Sequence, residues 1–285
     1  MVIKKLLTAI GCCAILLAYQ SCDTKKSKPL PIPALYDLNN PTIFSLPVGL
    51  AEISGMAYYP KDSSVFAIID EAGTLFKIYL NGTGTIKKWT YNKKEDFEDI
   101  VMVDSTFYVL ISNGDIASLQ FSGDSILVNK SNLAGNSKKV NEFETLYYDD
   151  SLGIILMCKE CEEDDKKKVT AIRYNPDSSN YQQNLYSINT EEVIKMTGEK
   201  KLHLKPSAAA IHPITKDLYI IASVNRLLLI ADRSGNVKEV YPLDPLIYKQ
   251  PEGITFTPWG DLLISNEAAE SGNPNILILK SKKKG

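Results

Sequence analysis

Five short segments of the chain share one pattern, and that repetition limits the possible folds more than any other feature. They are SGMAYYP (residues 54–60), EDIVMVD (98–104), ETLYYDD (144–150), SAAAIHP (207–213) and EGITFTP (252–258). The third and fifth positions are apolar in every copy. The seventh is Pro or Asp, which stops a strand. Successive copies start about 45 residues apart, with one longer interval of about 60, and a repeat of this length is typical of propeller blades.

Each copy is followed by a second, strongly apolar strand: VFAIID, FYVLIS, GIILMC, LYIIAS and DLLISN. A third follows: TLFKIYL, DIASLQF, VTAIRYN, RLLLIAD and NILILK. Fourth strands read TIKKWTY, DSILVNK, QQNLYSI and NVKEVYP, with turn signals such as Asn81-Gly82 between them. Four antiparallel strands per repeat predict an all-β, five-bladed β-propeller. The fifth repeat lacks a fourth strand, and TIFSLP (42–47) precedes the first repeat without a sheet of its own. We therefore expect this N-terminal strand to close the last blade. Six blades are the alternative, if the long third repeat, with its NYQQNLYSINTEEVIKMTGEKK insertion, hides a small one.

The first residues read as a targeting segment. Lys4 and Lys5 precede an apolar run over residues 6–18, and Ala18-Tyr19-Gln20-Ser21-Cys22 follows. This resembles a bacterial lipoprotein signal, which implies a signal peptide over 1–21 and lipidation of Cys22; an ordinary signal peptide cut near Ser21 is the alternative. A Pro-rich tether over 22–40 would then join the anchor to a propeller domain over 41–285. The expected location is the cell envelope, as a membrane-anchored lipoprotein facing the periplasm or the cell surface. With Cys12 and Cys13 removed and Cys22 lipidated, Cys158 and Cys161 remain, and a lone pair in an oxidising compartment is expected to form a disulfide. The formal net charge of −2 gives no reason to expect nucleic acid as a partner. A monomer is expected.

In a propeller the first strand of each blade lines the central channel, so its first residue lies near one mouth. The second strand runs back to that mouth. Glu98, Glu144 and Glu252 should therefore converge, ringed by Asp70, Glu71, Glu160, Asn266 and Glu267. Converging carboxylates repel. A hard cation such as calcium could sit among them. Alternatively Lys159, Lys205 or Arg226 could pair with them, or backbone N–H groups of a neighbouring blade could satisfy them. His203 and His212 are expected in loops or on the surface. Neither stands at a repeated mouth position, so no general base emerges.

The segments Ile53-Ser54-Gly55-Met56, Phe97-Glu98-Asp99-Ile100, Phe143-Glu144-Thr145-Leu146, Pro251-Glu252-Gly253-Ile254 and Ile264-Ser265-Asn266-Glu267, in this order, resemble the SdiA-regulated family of bacterial β-propellers. The resemblance spans roughly residues 42–280. It implies a five-bladed, NHL-like propeller with a calcium site at Glu98, Glu144 and Glu252. The fourth repeat departs from the pattern, with Lys205-Pro206-Ser207-Ala208 where an acidic-Ser-Gly pattern is expected. The expected function is a calcium-binding module that presents a propeller face to a ligand or protein partner, without catalysis. A metal-dependent hydrolase of phosphate esters or lactones is the alternative. A third possibility is a carbohydrate- or peptide-binding surface using Tyr58, Tyr59, Tyr147 and Trp259, although the apolar spacing places Tyr58 and Tyr147 in packing roles.

Overall fold

A computed structural model describes residues 30–92, 94–133, 141–161, 166–268 and 272–282. The proposed signal peptide, Cys22 and the first part of the tether lie outside the described residues.

The strands form five four-stranded antiparallel sheets. The first holds β2 (Ile53–Tyr59), β3 (Ser64–Ile69), β4 (Ala72–Tyr79) and β5 (Lys87–Thr90). The second holds β6 (Phe97–Val103), β7 (Thr106–Ile111), β8 (Ile116–Ser122) and β9 (Ser125–Ser131). β10 (Glu142–Asp149), β11 (Gly153–Glu160), β12 (Lys168–Asn175) and β13 (Asn180–Asn189) make the third, and α1 (Thr190–Thr197) follows them. The fourth holds β14 (Ala208–Ile211), β15 (Leu218–Ala222), β16 (Leu227–Ala231) and β17 (Val237–Pro242). The last holds β18 (Pro251–Phe256), β19 (Leu262–Asn266) and β20 (Asn275–Leu279). Its fourth strand is β1 (Thr42–Ser45), which pairs antiparallel with β20, Thr42 opposite Ile278 and Ser45 opposite Asn275.

The first strands neighbour one another in the cyclic order β2, β6, β10, β14, β18 and again β2. Five blades are therefore arranged about one channel, and the described residues of the long third repeat form no sixth sheet. Its extra length goes into the ten-residue strand β13 and into α1. The helix starts where Asn189 accepts the Glu191 N–H and stops at Gly198 (φ 73°), which adopts the left-handed conformation a C-cap favours.

Alternation along each strand sends apolar side chains into the gaps between blades. One core cluster fills each gap. Phe66, Ile68, Phe97 and Val109 join the first blade to the second; Met56, Val65, Leu263 and Ile276 join the first to the last. The remaining three clusters fill the gaps around the third and fourth blades. Residues before β1 also pack against the propeller. Tyr36 and Leu38 are 0% and 2% exposed in the gap between the fourth and last blades. Tyr36 donates its hydroxyl to the Gly260 carbonyl at 2.6 Å, and Leu38 accepts the Tyr248 hydroxyl at 2.9 Å. These apolar side chains gain by burial that a solvated tether would forgo.

Candidate functional site

The three repeated glutamates owe their common direction to a break in strand pairing. Phe97 faces Ile111 and Asp99 faces Leu110, so Glu98 between them has no partner on β7. The register skips Glu144 in the same way, between the Phe143–Cys158 and Thr145–Met157 pairs. It skips Glu252 between Pro251–Asn266 and Gly253–Ser265. β2 is irregular at Ser54 and Gly55, its corresponding residues. A bulge bends the strand and re-aims the extra side chain. Repeated around the ring, it turns Glu98, Glu144 and Glu252 into the channel mouth.

There they line a polar cavity of about 190 Å³ together with Ser54, Asp70, Lys159, Ser207, Gln250 and Glu267. Of the residues expected to ring the glutamates, Asp70 and Glu267 are in the wall. Glu71 instead pairs with Lys94 at 2.8 Å on the exposed surface, Glu160 pairs with Lys205 at 2.6 Å, and Asn266 is buried, donating to Ile247 and Asn275. Among the three basic candidates, Lys159 alone lines the cavity, where it forms an ion pair with Glu144. Gln250, absent from the sequence-based set, donates to Glu267. It lies in the loop before β18 and outside the repeat, so no periodic signal pointed to it.

The mouth holds more carboxyl groups than Lys159 can neutralise. Burial, with repulsion from Glu144 and Asp96, pushes the Glu98 carboxyl up to about 9. Burial, Glu144 and Glu267 push Glu252 up to about 8. Glu267 is raised to about 7 by burial and by Asp70. Asp70 is raised to about 6 by burial and by Asp96. Glu144 is also raised by burial, although Lys159 opposes the shift. Burial disfavours the Lys159 ammonium, yet Glu144, Glu252 and Glu142 outweigh it and hold that pKa above its ordinary value. Asp70 Oδ1 is buried with no hydrogen-bond partner among the described residues.

This donor set fits a hard cation in its chemistry: carboxylate oxygens with hydroxyl and amide oxygens beside them. The side chains are not preset around one point, since no group of three His, Cys, Asp or Glu among the described residues has metal-ligand geometry. Lys159 stands among them instead.

The other end of the channel is apolar. Met56, Tyr58, Met102, Ile211 and Phe256 help line a cavity of about 260 Å³ there. His212 belongs to this end and is buried, which corrects the surface alternative. Its Nδ1 accepts the N–H groups of Ile214 and Thr215, and its ring packs against Tyr36, Tyr219 and Phe256. It caps a turn at the end of the channel opposite the carboxylates. Trp259, 48% exposed, lies in the turn after β18 and donates to Asp261 at 2.8 Å. Tyr147 is buried between blades with its hydroxyl on Tyr186. A disulfide joins Cys158 to Cys161, with Cα atoms 5.9 Å apart.

Fold and site together define a five-bladed β-propeller with one acidic and one apolar channel end. A family model describes most of this domain: the SdiA-regulated family matches residues 45–270, and the chain belongs to that family. No curated protein matches the sequence. Among solved structures, the glutaminyl cyclase of Myxococcus xanthus is similar, with TM-score 0.59 and 14% identity over 85% of this chain and 96% of that one. The PQQ-bound aldose sugar dehydrogenase of Streptomyces coelicolor has TM-score 0.53 and 10% identity over 89% and 100% of the two chains. A luciferin-regenerating enzyme has TM-score 0.51 and 11% identity over 85% and 95%. At such identities the likeness shows the fold alone, and these neighbours carry unrelated chemistries on it.

Proposed function

We propose that this chain is a cell-envelope binding module, lipid-anchored through Cys22, whose acidic channel mouth takes a calcium ion and presents it to a ligand or protein partner. One observation carries the proposal: Asp70, Glu98, Glu144, Glu252 and Glu267 share a small cavity with one ammonium group, that of Lys159. Confined carboxylates in such excess either hold protons or take up a cation, and calcium accepts many oxygen ligands in flexible arrangements. Glu98, Glu144 and Glu252 would hold the ion, with Asp70 and Glu267 beside them. The bound ion would supply a positive centre for oxygen donors of a ligand. The mouth hydroxyls of Ser54 and Ser207 donate to backbone carbonyls of Glu52, Ile221 and Pro251 and not to a mouth carboxylate, which favours binding over hydrolysis of phosphate esters or lactones by a serine nucleophile.

The test is calcium titration of chelator-stripped protein followed by thermal unfolding. At about a hundred times its dissociation constant, calcium adds roughly 2.7 kcal/mol of stability, or about 5–10 °C in Tm. Glu98→Gln and Glu252→Gln should each abolish most of that rise. A melting curve that calcium does not move, in wild type as in the variants, defeats the proposal.

A further inference from the structure

The mouth contains its own positive charge, and the chain spends a disulfide on placing it. Lys159 and Glu160 are the two residues enclosed by the Cys158–Cys161 bond, at the end of β11. They face opposite ways. Lys159 enters the cavity and pairs with Glu144, the two side chains being 20% and 16% exposed. Glu160 turns outward to Lys205. The outward pair and the disulfide together fix the short segment from which Lys159 projects. The lysine acts beyond its partner, since its charge also favours ionisation of Glu98, Glu252 and Glu267.

We propose that Lys159 is a built-in competitor for the cation: its ammonium, held in the mouth by the Cys158–Cys161 staple, takes up carboxylate charge that an incoming ion must win back. The proposal rests on the cation reading and assigns the residue that sets the affinity of that site. A tethered ammonium competes at high effective concentration, because no translational freedom is lost when it binds. A monovalent ion brings the same charge as the lysine and gains little by displacing it. A divalent ion brings twice the charge to the same oxygens and can displace it. Lys159 thus makes the mouth selective for divalent over monovalent cations, and lowers its affinity for both.

Calorimetric calcium titration of the chelator-stripped full chain tests this, comparing wild type with Lys159→Met, Lys159→Arg and the Cys158→Ser/Cys161→Ser pair. Lys159→Met should bind calcium roughly tenfold more tightly or better, because a competing charge has gone. Its binding should also become sensitive to added sodium. Lys159→Arg keeps the charge and should stay near the wild-type value. The serine pair keeps the lysine but frees its segment, and should fall between. An unchanged or weaker Kd in Lys159→Met overturns the proposal. If no variant takes calcium, the cation reading itself fails, and unfolding in chelator then judges the lysine. A lower Tm for Lys159→Met, with Lys159→Arg unaffected, keeps Lys159 as the counter-ion of the mouth with no metal to oppose. Equal Tm values in all variants overturn that role as well.

Discussion

Three glutamates of the mouth are held in the folded chain at a pKa well above the ordinary 4.5: about 9 for Glu98, about 8 for Glu252 and about 7 for Glu267. An unfolded chain releases those protons near the ordinary value, so above it the native state binds more protons than the unfolded state. Stability of the metal-free protein must then fall as pH rises from about 5 to about 9. Asp149 and Asp261 do not mask the trend. Burial opposes their charge, but Arg233 and Lys280 hold both carboxyls below their ordinary value, so their contribution is complete at pH 5 and is lost only toward lower pH. We expect Tm in chelator to drop by about 5 °C or more across this window, and saturating calcium to flatten the profile. Scanning Tm against pH with and without calcium checks it; a metal-free profile that rises toward pH 9 contradicts the charge excess on which the cation proposal stands.

At the scale of strands, the inner strand of each blade is a repeated device, and in the second blade the residue after the glutamate also carries a role. Asp99 follows Glu98 and is 3% exposed. Its Oδ2 accepts the Leu146 N–H of the next blade at 2.8 Å, and its Oδ1 accepts the N–H of Ile100 at 2.8 Å. A buried acidic side chain thus straps the second blade to the third. On its other side lies Gly55, where an added Cβ would come within 2.6 Å of Asp99 Cα. Asp99→Ala leaves two buried donors unpaired and should cost about 3 kcal/mol in urea unfolding; Asp99→Asn keeps an acceptor and should cost less. A loss below about 1 kcal/mol for the alanine variant would mean that water replaces the strap. The repeat of short apolar strands made five blades and the convergence of Glu98, Glu144 and Glu252 legible in the sequence, because strand direction alone returns those positions to one end. Three features were not legible. The bulges that aim the glutamates depend on register, which a single strand does not encode. The entry of Lys159 rather than Lys205 or Arg226 depends on the path of the Cys158–Cys161 segment. Burial of Tyr36 and Leu38 depends on a gap between two distant blades, while the Pro-rich residues before them read locally as linker.

Across the whole molecule, the first and last strands meet in one sheet, since β1 pairs with β20 while β18 and β19 complete the blade. The last blade is therefore not a free terminus that could fray by itself. Losing β1 exposes the backbone edge of β20 and uncovers the cluster in which Phe44 and Ile278 pack against Leu263 and Ile276. That cluster also holds Ile53, Met56 and Val65 of the first blade, so damage at one seam reaches both neighbours. An exposed apolar edge strand pairs readily with another copy. The double variant Ile43→Pro/Phe44→Pro removes two backbone donors from β1 and should detach it from β20 while leaving Tyr36 and Leu38 in place. We expect a Tm lower by about 5 °C or more and self-association in light scattering beyond that of the wild type. Because the acidic mouth draws its carboxylates from the first, second, third and last blades, the same variant should weaken calcium binding although it touches no mouth residue. If the variant instead keeps wild-type light scattering, Tm and calcium affinity, the β1–β20 pairing contributes little, and the packing between blades alone holds the mouth together.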